Sequence, residues 1–215
     1  MLITSLFFDM DGVVIDSEKL HLKALGLTLD NNGIAYPAAM LPGFTGKSDR
    51  SFFEYARDHL DAGGRVDIEK FLGEKDRLFD SLLPELCLVD GFEDFIRAVR
   101  ERGLKTALVT SSSRWTVNKV DKLLGILKWF DVVIAEEDTE KHKPDPAPYL
   151  LAFEKTEADR DSTIIIEDST IGITAGKAAG CKVYGLTTSF SKEVLTGAGA
   201  NHVFDSYKAL ASTLF

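Results

Sequence analysis

The chain is poor in cysteine, in basic charge and in long apolar runs. Two cysteines in 215 residues, Cys87 and Cys181, cannot build a disulfide framework. Each has apolar neighbours, so both are expected to be buried, reduced thiols of a cytoplasmic protein. Lysine and arginine number 25 against 34 acids, for a formal net charge of −9, which argues against nucleic-acid or anionic-membrane partners. No apolar stretch reaches the ~18 residues of a membrane-crossing helix. The first residues carry no basic segment ahead of their apolar run, so no targeting peptide is expected. Internal repeats and low-complexity tracts are also missing. A hydrophobic content of 45% with 27% charged residues fits a globular domain, or one carrying a smaller insert.

What is present begins with a strand. Leu2 to Phe8 is apolar apart from Thr4 and Ser5, the pattern of a buried strand, and it stops on Asp9-Met10-Asp11-Gly12. Alternate side chains of an extended chain share a side, so Asp9 and Asp11 can face one small volume. Gly12 lets the backbone turn. An Asp-rich turn is also an ordinary helix cap, so the motif alone leaves both readings open.

Asp16-Ser17-Glu18 reads as a helix start. Turn formers from Asn31 to Gly46 predict a loop with a short helix around Ala38. Amphipathic helices follow at Ser48–Leu60 and Asp67–Leu82. Phe52, Phe53, Phe71 and Phe79 are expected in the core of this helical stretch. From Gly91 the pattern becomes helix and strand in alternation. Helices are expected at Phe92–Arg102, Arg114–Leu124, Pro146–Lys155 and Ile171–Ala179. Strands are expected at Lys105–Val109, Val132–Ala135, Thr163–Ile166 and Lys182–Leu186, with short elements near Val203 and Leu210. This order implies an α/β fold, a Rossmann-like parallel sheet with helices on both faces. The sheet domain would comprise residues 1–16 and 83–215, with residues 17–82 as an all-helical cap inserted after the first strand.

Polar groups then stand at consecutive strand ends: Asp9 and Asp11, Thr110 and Ser111, a loop reaching Lys143, and Glu167 with Asp168. Open α/β sheets bind ligands at that edge. Four carboxylates in one pocket repel one another, by about 4 kcal/mol per pair at about 4 Å in an effective dielectric of about 20. A hard divalent cation relieves this, and the oxygen ligands suit Mg²⁺. Thr110 and Ser111 offer a hydroxyl and backbone N–H groups to phosphate oxygens, and Lys143 adds a charge that Pro144 helps to aim. Asp9 can serve as nucleophile and Asp11 as acid and base. Taken singly each residue has an ordinary use: Thr110 ending a strand, Ser111 to Ser113 or Asp168 capping a helix, Lys143 solvated.

Asp9-Met10-Asp11-Gly12-Val13, Thr110 after Ala107-Leu108-Val109, Lys143-Pro144, and Ile165-Ile166-Glu167-Asp168-Ser169 followed by Gly172 resemble the four motifs of the haloacid dehalogenase superfamily. The match is to its phosphatase and β-phosphoglucomutase-like branch. The resemblance implies Mg²⁺-dependent phosphoryl transfer with Asp9 as nucleophile and Asp11 as acid/base, its backbone carbonyl on the metal. It also implies Asp168 as a metal ligand, with Glu167 beside it. One departure is His142, where the family usually has glycine before the Lys-Pro pair. In the cap, His21 falls where the β-phosphoglucomutase members also have a histidine. Gly46 and Lys47 lie in the loop expected to meet substrate, while Asp49 stands where that group has arginine.

The reading is a phosphatase of a small phosphorylated metabolite, a sugar phosphate, acting as a monomer. A β-phosphoglucomutase-like mutase is the alternative, and a non-catalytic phosphate-binding module the second.

Overall fold

The computed structural model describes residues 2–45 and 47–215. Gly46 therefore lies outside the described residues. The chain forms two compact units, one of residues 1–16 and 87–215 and the other of residues 17–86.

The first unit is a six-stranded parallel sheet in the order β3-β2-β1-β4-β5-β6, with helices on both faces. Its strands are β1 (Ser5–Phe8), β2 (Lys105–Val109), β3 (Val132–Ile134), β4 (Thr163–Glu167), β5 (Lys182–Leu186) and β6 (His202–Phe204). β1 lies between β2 and β4, with Phe8 in register with Leu108 on one side and Ile166 on the other. The strand order reverses direction between β1 and β4, so their carboxyl ends border the crevice where such sheets bind ligands. Alternation along β1 sends Phe7 into one layer, against Phe153 at 4.8 Å, and Phe8 into the other, edge-on to Phe92 and Phe95. Both rings are fully buried. That arrangement needs two apolar residues in succession, as a strand covered on both faces requires.

The helices of this unit are α4 (Phe92–Glu101), α5 (Arg114–Leu124), α6 (Ala147–Thr156), α7 (Thr170–Ala178), α8 (Lys192–Gly197) and α9 (Tyr207–Leu214). Ser113 and Ser169 cap α5 and α7, their hydroxyls accepting the N–H of Thr116 and Gly172. Ser169, one residue after Asp168, does the capping, which frees the aspartate for other work. At the strand-one end the chain leaves by way of Ile15 and returns beside it at Leu88. Asp16 N–H donates to Cys87 O and Val89 N–H to Val14 O.

The second unit consists of α1 (Glu18–Asn31), a 3-10 segment (Ala38–Phe44), α2 (Asp49–His59), α3 (Ile68–Leu82) and a short 3-10 turn. Leu25, Leu29, Ile34, Phe52, Phe53, Ala56 and Phe71 form its core.

Several expectations are corrected. Leu2 is largely exposed at 83%, and the strand begins only at Ser5, where pairing to Lys105 and Thr163 starts. Cys181 is buried, but Cys87 is exposed beside the outgoing strand. Phe79 is only half-buried and stacks on the His21 ring at 4.1 Å instead of joining the core of its unit. The helix α8 had no visible stripe in sequence, since six residues are too few for a periodic signal.

Candidate active site

β1 delivers Asp9 and then folds back at once. The Met10 carbonyl accepts the N–H groups of Val13, Val14 and Ile15, and Gly12 adopts φ +71°. This turn puts Gly12 against Asp168, because a Cβ built on Gly12 would sit 1.8 Å from Asp168 Oδ2. Glycine is required there by the conformation and by the close approach.

Lys143 is the hub. Its side chain is 3% exposed, and its ammonium donates to Asp9 Oδ1 at 2.6 Å, to Glu167 Oε1 at 2.6 Å and to the Val109 carbonyl at 2.9 Å. An ammonium has three protons, so three acceptors satisfy it fully. Burial opposes its charge, yet the two carboxylates beside it hold its pKa above the usual lysine value. The Lys143–Pro144 peptide bond is cis.

Glu167, the last residue of β4, is completely buried. Besides Lys143 it accepts Tyr149 Oη at 2.6 Å on Oε1 and Ser169 Oγ at 3.0 Å on Oε2. Gly172 on α7 makes room for it, since a Cβ there would fall 1.9 Å from Oε1. The Tyr149 ring also lies under the Lys143 ammonium, 5.0 Å from it.

Asp9, Glu167 and Asp168 each offer an oxygen within 4.8 Å of the others, close enough that the three could hold a cation. Their electrostatics agree. Burial pushes the Asp9 carboxyl up to about 7, with Lys143 opposing and Glu167 and Asp11 adding to the rise. Burial likewise raises Asp168 well above the ordinary carboxylate range, reinforced by Asp9 and Glu167 and opposed by Ser189. One lysine does not neutralise this much acid.

Asp11 stands apart from the three. Its Oδ2 accepts Ser112 Oγ at 2.9 Å, and Ser112 N–H in turn donates to Thr110 Oγ1 at 3.0 Å. Thr110 is buried at the end of β2 and Ser111 is exposed beside it. The structure thus joins Asp9 and Glu167 through Lys143, brings an Asp168 oxygen within 4.8 Å of both acids, and links Asp11 to Thr110 through Ser112. Lys47 and His21 belong to the second unit. There Lys47 lies exposed over the Phe44 ring, and His21 Nδ1 is 2.8 Å from the Lys75 ammonium. Lys75 is itself buried and paired with Asp49 at 2.6 Å. His142 is exposed.

Three groups at the site escape the sequence reading, Tyr149, Thr188 and Ser189, while Ser112 and Ser169 stand in its motifs without the acidic partners found here. Tyr149 lies three residues after Pro146 in an apolar helix, where nothing but its hydroxyl hints at a partner. Thr188 and Ser189 follow β5, and the carboxyl-edge rule applied to that strand would have found them.

A sequence profile of the haloacid dehalogenase-like hydrolases matches residues 6–186. A phosphorylated carbohydrates phosphatase of Thermotoga maritima is 29% identical over 202 residues, covering 91% of each chain. Validoxylamine A 7′-phosphate phosphatase of Streptomyces hygroscopicus subsp. limoneus is 29% identical over 193 residues, covering 89% of each. A haloacid dehalogenase family hydrolase of Deinococcus radiodurans, solved with bound phosphate and sodium, superposes with a TM-score of 0.86 at 23% identity, covering 99% of this chain and 95% of that one. No helix among the described residues is long and apolar enough to cross a membrane. The chain belongs to the haloacid dehalogenase-like hydrolase family and is an enzyme of its phosphatase branch.

Proposed function

We propose that the protein is a Mg²⁺-dependent phosphatase of small phosphorylated metabolites, of the sugar-phosphate class, working through an aspartyl-phosphate on Asp9. The observation that carries the reading is the Lys143 ammonium, held 2.6 Å from both Asp9 and Glu167 at the edge of the sheet. A buried lysine between two acids fixes one oxygen of Asp9. The other oxygen, Oδ2, takes no hydrogen bond from the described residues and is free to attack.

The residues fit a magnesium ion, because hard oxygen donors converge with more negative charge than Lys143 balances. Asp9 and Asp168 would hold the ion, with the Asp11 carbonyl in the role the family resemblance implies. Glu167, whose Oε1 takes two protein donors and whose Oε2 takes a third, stands beside the ion and holds Lys143. When bound, Mg²⁺ neutralises charge on the transferring phosphoryl group and on the carboxylates around it.

Asp9 attacks phosphorus, and the bond from phosphorus to the ester oxygen breaks. Asp11 hands its proton to that leaving oxygen. Asp11 then takes a proton from water, whose oxygen attacks the phosphoryl group and returns Asp9 as a carboxylate with release of inorganic phosphate. Thr110 and Ser111 bind phosphoryl oxygens through the first displacement, while the Lys143 charge, 2.6 Å from Asp9, offsets the negative charge that builds there. Ser112 holds Asp11 at 2.9 Å and so limits the orientations from which it delivers its proton.

The sugar-phosphate class rests on the two relatives named for a phosphorylated carbohydrate and for validoxylamine A 7′-phosphate. Hydrolysis is favoured over a mutase by Asp49. A mutase retains a second phosphate and needs cations for it, whereas Asp49 puts a carboxylate on Lys75. A panel of sugar phosphates assayed for phosphate release, beside an isomerisation assay with β-glucose 1-phosphate, tests this. Release is expected, to be abolished by Asp9→Asn and by EDTA. Isomerisation without release, or full activity in EDTA, would overturn it.

A further inference from the structure

We propose that Ser189, supported by Thr188, is a positioning residue for the cation site, fixing the Asp168 carboxylate so that one oxygen is left to meet the metal. This rests on the magnesium reading above.

Both residues lie on the loop after β5, and both reach the end of β4 and the turn after β1. Ser189 Oγ donates a hydrogen bond to Asp168 Oδ2. Thr188 Oγ1 is 3.4 Å from the same oxygen and 2.5 Å from the Gly12 carbonyl. A hydroxyl carries one proton, so Thr188 spends its proton on Gly12 and leaves Ser189 as the donor to Asp168. Thr188 therefore ties the turn that carries Asp9 and Asp11 to the loop that holds Asp168.

Gly12 closes the arrangement. A side chain there would meet Asp168 Oδ2 at 1.8 Å and Ser189 Oγ at 3.0 Å, so turn, carboxylate and hydroxyl are packed together. Oδ2 is thereby committed. Oδ1 takes no hydrogen bond from the described residues. No buried side-chain oxygen or nitrogen among those residues lacks a partner, so Oδ1 must open to solvent. A neutral hydroxyl suits this task, because it orients the carboxylate without adding charge to a site already crowded with acids. Groups that orient a metal ligand in this way typically contribute about 10–100-fold in affinity.

The test is Mn²⁺ binding, read by electron paramagnetic resonance of the free ion, with Mg²⁺ as competitor, on the full chain and three variants. Ser189→Ala should weaken Mn²⁺ binding by about 10–100-fold, while its melting temperature in EDTA stays at the wild-type value. Ser189→Thr, which keeps the hydroxyl, should recover most of the affinity. Asp168→Asn should remove binding altogether. If Asp168→Asn removes binding but Ser189→Ala binds as tightly as wild type, the positioning role is wrong and the metal reading stands. If Asp168→Asn binds Mn²⁺ like wild type, the metal reading itself has failed. Should Ser189→Ala not fold, Thr188→Val tests the same loop through Gly12, and unchanged affinity there would overturn the proposal.

Discussion

At the scale of single residues, the site is a set of buried charges each with a fixed partner. Lys143 is an ammonium taken out of water, which is tolerated only when fully paired. Glu167 is completely buried as well, and part of its pairing comes from Tyr149. Its phenol, fully buried and held well above the usual tyrosine pKa by burial and by Glu167, is a permanent donor at 2.6 Å. Tyr149→Phe removes that donor while keeping the ring under Lys143. A hydrogen bond to a charged group contributes about 1.5–3 kcal/mol, so a urea titration should show a loss of that size. Unchanged stability would mean that Lys143 and Ser169 satisfy Glu167 without it. The gathering of Asp9, Glu167 and Asp168 was legible in sequence because acids at the ends of apolar strands have no packing use there, and Lys143 because the loop after the third strand carries it, beside Pro144, to the same edge. Tyr149 and Ser189 were not, because a tyrosine in a helix and a serine in a loop are common and their partners are set by the tertiary fold. Cys87 misled for a related reason, since its apolar neighbours do not share its exposure.

At the scale of elements, strands and helices of the sheet unit were legible in their order, α8 excepted, and nearly in their bounds. Lys105–Val109, Arg114–Leu124 and Lys182–Leu186 begin and end where turn and cap residues place them. The segment Ala38–Phe44 was harder, because Pro42 inside it removes a donor and favours a tight 3-10 course. Glycines give a direct test of element packing. Gly73 in α3 has open space where a Cβ would go, so Gly73→Ala should stabilise by about 0.4–1 kcal/mol. Gly172 in α7 faces Glu167, with a Cβ 1.9 Å from Oε1, so Gly172→Ala should be destabilising and displace the carboxylate. Thermal melts of the two variants should move in opposite directions. A shared direction would contradict the placement of α7 against β4.

At the scale of the whole molecule, the sheet gathers carboxylates at one edge at a cost in stability that a cation can offset. Asp9 has its pKa raised from 3.8 to about 7, so the folded, metal-free protein holds a proton that the unfolded chain has released. Its contribution to stability therefore falls as pH rises from about 4 to about 7. Melting temperature in EDTA should drop across that range, and added Mg²⁺ should raise it more near pH 7.5 than near pH 5. An equal shift at both values would separate the metal from these acids. The whole proposed mechanism depends on Asp9 carrying the phosphoryl group. The most direct measurement is mass spectrometry of the Asp11→Asn variant, acid-quenched during turnover of an aryl phosphate with Mg²⁺ and trapped with borohydride. A modified peptide whose trapped residue is Asp9 is expected. A quenched enzyme with Asp9 unmodified and the phosphoryl group on another side chain would contradict it.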